Sequence, residues 1–208
     1  MGLFSSSKSS RPTPSDKVWK TRSACLKGTA TQALLAVRES RIPIVVTFFE
    51  ESHNAFVGFL KQTEVPHQEV TSFGNIDLLQ NKNTIAILRA SGSGFASSIH
   101  KEVKAAILLL GRYPLADTEN KVIDDLATHF PGSSISFCLS LEDGFFEVFG
   151  SENLKTIMDT LGMKDDEFVE HKLVSKAIKN AQEKIARNVV VEAKARSEKE
   201  WMEKNVKR

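Results

Sequence analysis

Apolar residues recur along this chain in two periods, and their alternation predicts its elements. The run Ile44-Val45-Val46-Thr47-Phe48-Phe49, launched by Pro43, is continuously β-branched and aromatic, which suits a central parallel strand covered on both faces. Residues 84–88 and 106–110 read as two further buried strands, the first followed by a small-residue loop over 90–98. Residues 65–70 form a short extended piece around Pro66. Near 135, Ile135, Phe137 and Leu139 alternate with Ser134, Ser136 and Ser140, the period of a strand.

Between these runs the period lengthens to that of a helix. Residues 15–38 read as helical, with Ser15 as the cap and Val18, Trp19, Ala24, Leu26, Leu34, Leu35 and Val37 as an apolar face interrupted near Gly28. Residues 50–62 place Phe56, Val57, Phe59 and Leu60 inward, and residues 116–129 do the same with Val122, Ile123 and Leu126. Strands alternating with helices predict a parallel sheet with right-handed crossovers, that is, a layered α/β domain.

Downstream the chain turns helical throughout. Ser140-Leu141-Glu142-Asp143 sets a capping hydroxyl before two carboxylates. Gly150-Ser151-Glu152 breaks and restarts the chain, and Leu154, Ile157, Met158 and Leu161 keep helical spacing until Gly162. From Val174 onward Val174, Ile178, Ala181, Ile185 and Val189 step by four and three, which predicts one long helix with a coiled-coil-like seam. Mixed charges then surround Trp201 and Met202. The expected organisation is a disordered leader over 1–14, an α/β domain over 15–140 and a helical region over 141–208.

Composition narrows the classes. A hydrophobic fraction of 41%, a charged fraction of 26% and a net charge of +2 are those of an ordinary globular chain, demanding neither nucleic acid nor a membrane. No apolar run approaches the roughly 20 residues needed to cross a bilayer. Cys25 and Cys138 lie far apart without a CxxC and read as buried thiols of a reducing compartment. The histidines lack metal-ligand spacing, and Glu50-Glu51 and Asp165-Asp166-Glu167 stand at helix starts, where carboxylates suit the dipole. Met1-Gly2-Leu3-Phe4-Ser5-Ser6 matches an N-myristoylation pattern, which has meaning only where the transferase exists.

Several words in one order carry a resemblance. Gly132-Ser133-Ser134, the stretch from Phe137 to Asp143, Phe149-Gly150-Ser151, Leu161-Gly162-Met163-Lys164, Val169-Glu170-His171 and the stretch from Val174 to Ile185 follow one another over about the last third of the chain. Together they resemble the SecA preprotein translocase motors, where a SLED turn, an FGS segment and an LGM…IEH segment lead from the second RecA-like lobe into a long scaffold helix. The resemblance implies a RecA-like, helicase C-terminal-like parallel sheet with a long C-terminal helical extension. It also implies a cytoplasmic protein, peripheral contact with the inner membrane being left open. The expected partners are translocase motor or channel components, or preprotein, and no nucleic acid.

The same comparison marks what this sequence has lost. Where the family has an AGRGTDI loop, this chain reads Ser91-Gly92-Ser93-Gly94-Phe95-Ala96-Ser97-Ser98-Ile99, keeping the glycines without the arginine and aspartate. Where the family has an arginine-rich motif, it reads Asp124-Asp125-Leu126-Ala127-Thr128-His129-Phe130-Pro131, and no arginine lies between Arg112 and Arg187. No GxxxxGK[ST] phosphate loop occurs in the sequence. Such fingers stabilise charge on a transferring phosphoryl group, so the expectation is a binding or accessory subunit without hydrolysis, with ATP held only alongside a partner lobe. The alternatives are a second lobe completed in trans by a Walker-bearing protein, with Arg89 or Arg112 as substitute, and a RecA-like binding module that has left secretion. Candidate anion contacts are Gly92, Gly94 and Arg112. Candidate partner contacts are Val174, Ile178, Ile185, Trp201 and Met202, the last two as exposed apolar area on an outlying helix.

Overall fold

The computed structural model describes residues 13–72, 76, 83–90, 99–149, 151–160, 163–164 and 166–206. The leader over 1–12, the loop with Gly92 and Gly94, the breaks at Gly150 and Leu161-Gly162, and Asp165 lie outside the described residues, as do the side chains of Leu154 and Ile157.

The buried runs form strands β2 (Ile42–Thr47), β4 (Ile85–Arg89), β5 (Ala105–Leu110) and β6 (Ser134–Ser140), joined by β1 (Ser15–Trp19), β3 (His67–Val70) and the short β7 (Phe168–Val169). They make one sheet in the order β3-β4-β2-β5-β6-β1-β7. Every pairing is parallel except β1 with β7. The period of a strand sorts its side chains between two cores. Ile44 and Val46 of β2 face one core while Val45 faces the other. Helices α1 (Arg22–Arg38) and α2 (Glu50–Gln62) cover the Val45 side through Ala30, Ala33, Phe56, Val57 and Leu60. The Ile44 side is covered by α3 (Ala116–His129), with Val122, Ile123 and Leu126, and by α6 (Lys172–Ala186) and α7 (Glu198–Asn205). This layered, parallel-dominated sheet fits an α/β RecA-like fold.

Two expected helices are corrected. Residues 15–19 are not the start of a helix: they pair with β6 in register from Ser15 opposite Ser136 to Trp19 opposite Ser140, and Leu141 N donates to Trp19 O at 3.0 Å. Asp16 and Val18 face one side of the sheet and Trp19 the other, a period of two hidden inside a segment too short to announce it. Helix α1 is capped by Thr21, whose Oγ1 accepts from Ala24 N at 3.1 Å. Its Gly28 leaves room for the Trp19 indole, from whose Nε1 an added Cβ would stand 2.6 Å.

The long C-terminal helix is likewise two. Helix α6 stops at Ala186, residues 189–196 run without helix, and α7 restarts behind Ser197, whose Oγ accepts from Glu200 N at 3.0 Å. Val189-Val190-Val191 explains the break, because three consecutive β-branched residues crowd the preceding turn of a helix. The SLED segment is a turn closing β6: Ser140 N donates to Asp143 Oδ2 at 2.8 Å and Glu142 N to Ser140 Oγ at 3.1 Å. Helix α4 (Gly144–Phe149) then begins three residues later than the sequence suggested, followed by α5 (Ser151–Thr160).

Candidate functional site

In an open parallel sheet, ligands bind outside the carboxyl ends of the strands, where consecutive connections leave to opposite faces. Here that place lies between β2 and β5, since α2 leaves β2 toward one core and α3 leaves β5 toward the other. A cleft of about 380 Å³ opens there, lined by Phe48, Phe49 and Glu50 after β2, Arg89 at the end of β4, Tyr113 after β5, and Glu192, Lys194, Ala195 and Trp201 from the C-terminal segment.

Aromatic packing shapes its wall. Tyr113 stacks on Phe49 with ring centroids 5.6 Å apart, meets Phe48 at 5.7 Å and takes Trp201 edge-on at 6.0 Å. The Glu192 carboxylate accepts from the Tyr113 hydroxyl and from Trp201 Nε1, the latter at 2.8 Å. Burial, and then the carboxylate beside it, push the Tyr113 hydroxyl well above the usual phenol range. At the cleft rim the α2 N-terminus has no side-chain cap, and Glu51 N donates instead to Arg196 O at 3.0 Å.

A second cleft of about 400 Å³ adjoins the first, lined by His53 and Asn54 of α2, Glu69, Val70 and Thr71 at the end of β3, and Leu88 of β4. Glu50 and Arg89 border both clefts and stand 3.5 Å apart. His53 bridges Thr47 and Glu69, with Nδ1 3.3 Å from Thr47 Oγ1 and Nε2 2.9 Å from Glu69 Oε2. The hydrogen bond from His53 holds the Glu69 carboxyl below its ordinary range. A hydroxyl, imidazole and carboxylate in line resemble a nucleophile, base and orienter, but Thr47 is wholly buried and both imidazole nitrogens are engaged. The arrangement pins α2 to the sheet edge. Among the described residues no group of three or more His, Cys, Asp or Glu side chains could hold a metal ion.

The sequence-predicted residues separate. Gly92 and Gly94 lie outside the described residues. Arg112 is drawn away from the cleft into a network in which its guanidinium donates to Asp16 and, at 2.5 Å, to Glu119 Oε1, and covers the Phe137 ring at 3.4 Å. Its side chain is only 11% exposed. Arg89 does border the clefts, 42% exposed. Val174, Ile178, Ile185, Trp201 and Met202 are brought together, but inward: all five belong to the core on the Ile44 side. The expected exposed aromatic is corrected, for Trp201 is 1% exposed, because the break at Val189 lets the chain fold α7 back over the strand ends. Sequence reasoning missed Phe48, Phe49 and Glu192; the aromatic pair closing a β-branched run was the available signal.

The comparisons with known proteins agree with the words in the sequence. No protein-family model matches the chain. It is similar to the protein translocase subunit SecA of Clostridium kluyveri, 30% identical over 188 residues, covering 83% of this chain and 22% of that one. The SecA of Halothermothrix orenii is 26% identical over 181 residues, covering 82% and 21%. That of Helicobacter pylori strain Shi470 is 51% identical over 55 residues, covering 26% and 6%. The chain thus spans about a fifth of the length of the first two relatives. Among solved structures, the C-terminal part of the Fun30 ATPase domain aligns with 76% of this chain and 53% of that chain at 12% identity and a TM-score of 0.38. On sequence similarity extending over most of its length, the chain is a member of the SecA-related family.

Proposed function

We propose that this chain acts in protein translocation as a binding or accessory subunit that does not hydrolyse ATP. The similarity to SecA over 83% of the chain carries the reading. In it, residues 15–140 are the RecA-like domain, residues 141–208 the helical region packed on it, and the partners are a translocase motor, a channel component or preprotein at the cytoplasmic face of the membrane. Peripheral contact would serve such a role, and among the described residues no helix is long and apolar enough to cross a bilayer. Two observations support the absence of hydrolysis. No arginine lies between Arg112 and Arg187, and Arg112 is committed to Asp16 and Glu119, so it has no reach toward a phosphate.

A lobe completed in trans is the second reading, favoured by the exposure of Arg89 at the cleft and its long 3.5 Å approach to Glu50. The test measures ATP turnover by the purified full chain, alone and with the translocase motor, beside co-purification with that motor and the channel. Co-purification with no added turnover supports the accessory role. Turnover that Arg89→Ala abolishes overturns it in favour of completion in trans, and failure to engage either component removes the translocation reading.

A further inference from the structure

We propose that residues 188–206 form a strap over the strand-end cleft that lifts as one unit, so that access to the Phe48, Phe49 and Tyr113 wall is gated by the chain itself. The hydrogen bonding of the strap is largely its own. Asn205 closes it end to end, accepting from Ala193 N at 2.6 Å and donating to Ala193 O at 3.0 Å and to Trp201 O at 2.9 Å. Arg196 N donates to Glu200 Oε2 at 2.7 Å, and Lys204 Nζ reaches Glu200 Oε1 at 2.5 Å and Lys194 O at 3.3 Å. The Trp201 indole bonds to Glu192 within the same segment. All of these can survive displacement.

The strap is tied to the body by Tyr113 Oη donating to Glu192 on the cleft wall and by Glu51 N donating to Arg196 O beside it, while Asn188 at the hinge stays bonded to Ile185 O and Lys184 O. Trp201 and Met202, buried in the core, and Val189, Ala195 and Val206, packed against it, supply the apolar part of the docking. Beyond Val189, which packs against the core, Val190 and Val191 are 90% and 80% exposed, so rotation at these two residues breaks little packing. A segment closed on itself and joined through two exposed residues is the kind of unit that opens below the free energy of global unfolding. The cleft it covers lies where a sheet of this topology takes its ligands. The strap therefore stands in the ligand's place.

Native-state hydrogen exchange on the full chain tests this. The Glu51 amide, whose partner belongs to the strap, is expected to exchange at least about tenfold faster than the amides of β2 and β5. Tyr113→Phe keeps the ring and removes one tie to a charged acceptor, so it should accelerate Glu51 exchange about tenfold further while leaving the strand amides unchanged. Fraying of α2 would not respond to that hydroxyl. Should Tyr113→Phe fail to fold, Glu192→Gln weakens the same tie with the same expectation. The proposal is overturned if the Glu51 amide exchanges at the strand rate in the unaltered chain, or if the folded variant leaves it unchanged.

Discussion

Replacing Arg112 by methionine keeps much of the side-chain volume and removes the charge from the most enclosed ionic group described in the protein. Asp16 and Glu119 are each 2% exposed and face the guanidinium from β1 and α3. Gln182 of α6 donates to Glu119 Oε1 at 3.2 Å and to Tyr113 O at 2.9 Å, so the network joins both ends of the chain. Deleting one member of a buried ionic group costs about 3–5 kcal/mol, chiefly because the partner charge is left unpaired. For a domain of this size each kcal/mol moves the melting temperature by roughly 2–4 °C, so Arg112→Met should melt about 6–20 °C lower at pH 7.5.

The dependence on pH has a sign. Burial already raises the Glu119 carboxyl above its ordinary range, with Arg112 the largest influence opposing it. Without Arg112 the carboxyl rises further, so the contribution of Glu119 to stability is present at low pH and is lost as pH rises through its folded value. The defect should therefore shrink on acidification. Combining Arg112→Met with Asp16→Asn and Glu119→Gln should recover part of the loss at pH 7.5, as a buried neutral amide costs less than a buried unpaired charge. Urea and thermal unfolding of the single and triple variants measure both effects. A single variant within about 1 kcal/mol of the parent at pH 7.5 would refute the reasoning, because solvated carboxylates would not need the arginine.

Gly28→Ala should destabilise by about 2–3 kcal/mol, since the clash with the buried Trp19 ring outweighs a gain of about 1 kcal/mol in helix propensity; an unchanged urea midpoint would show that Trp19 can move. Val46→Asp should abolish cooperative unfolding, an unpaired carboxylate in a strand covered on both faces costing several kcal/mol; a retained sharp melt would contradict that burial. Burial pushes the Asp143 carboxyl up to about 6 from an ordinary 3.8, so it favours the fold below pH 4 and ceases to as pH rises toward 6. Asp143→Asn should lack that decline, roughly 1–3 kcal/mol between pH 4 and 6, and parallel stability curves for the two proteins would contradict it.

The family words and the α/β layering were legible in the residues alone. The words Phe149-Gly150-Ser151 and Val169-Glu170-His171 carry the kinship without any structure, and the runs at Ile44 and Ile107 announce strands because only a doubly covered strand tolerates such unbroken β-branched stretches. Local caps were less secure: Thr21, and not Ser15, opens α1, because the preceding residues found a partner in β6, 121 residues away at Ser15 and Ser136. That pairing is non-local, and no local periodicity encodes it.

The site shows the same division. The expectation that Arg112 faces a ligand followed from its place after a strand, yet its fate was settled by Asp16 and Glu119, carboxylates that come near it only once β1 has joined the sheet and α3 has packed on it. Trp201 and Met202 read as exposed on a straight helix. The β-branched run at Val189 ended that helix, and the strand ends offered an aromatic wall on which the returning segment could bury them. The sequence by itself determined which segments are strands or helices wherever one period dominates. Tertiary structure decided partner, register and exposure, because those depend on surfaces assembled from distant parts of the chain.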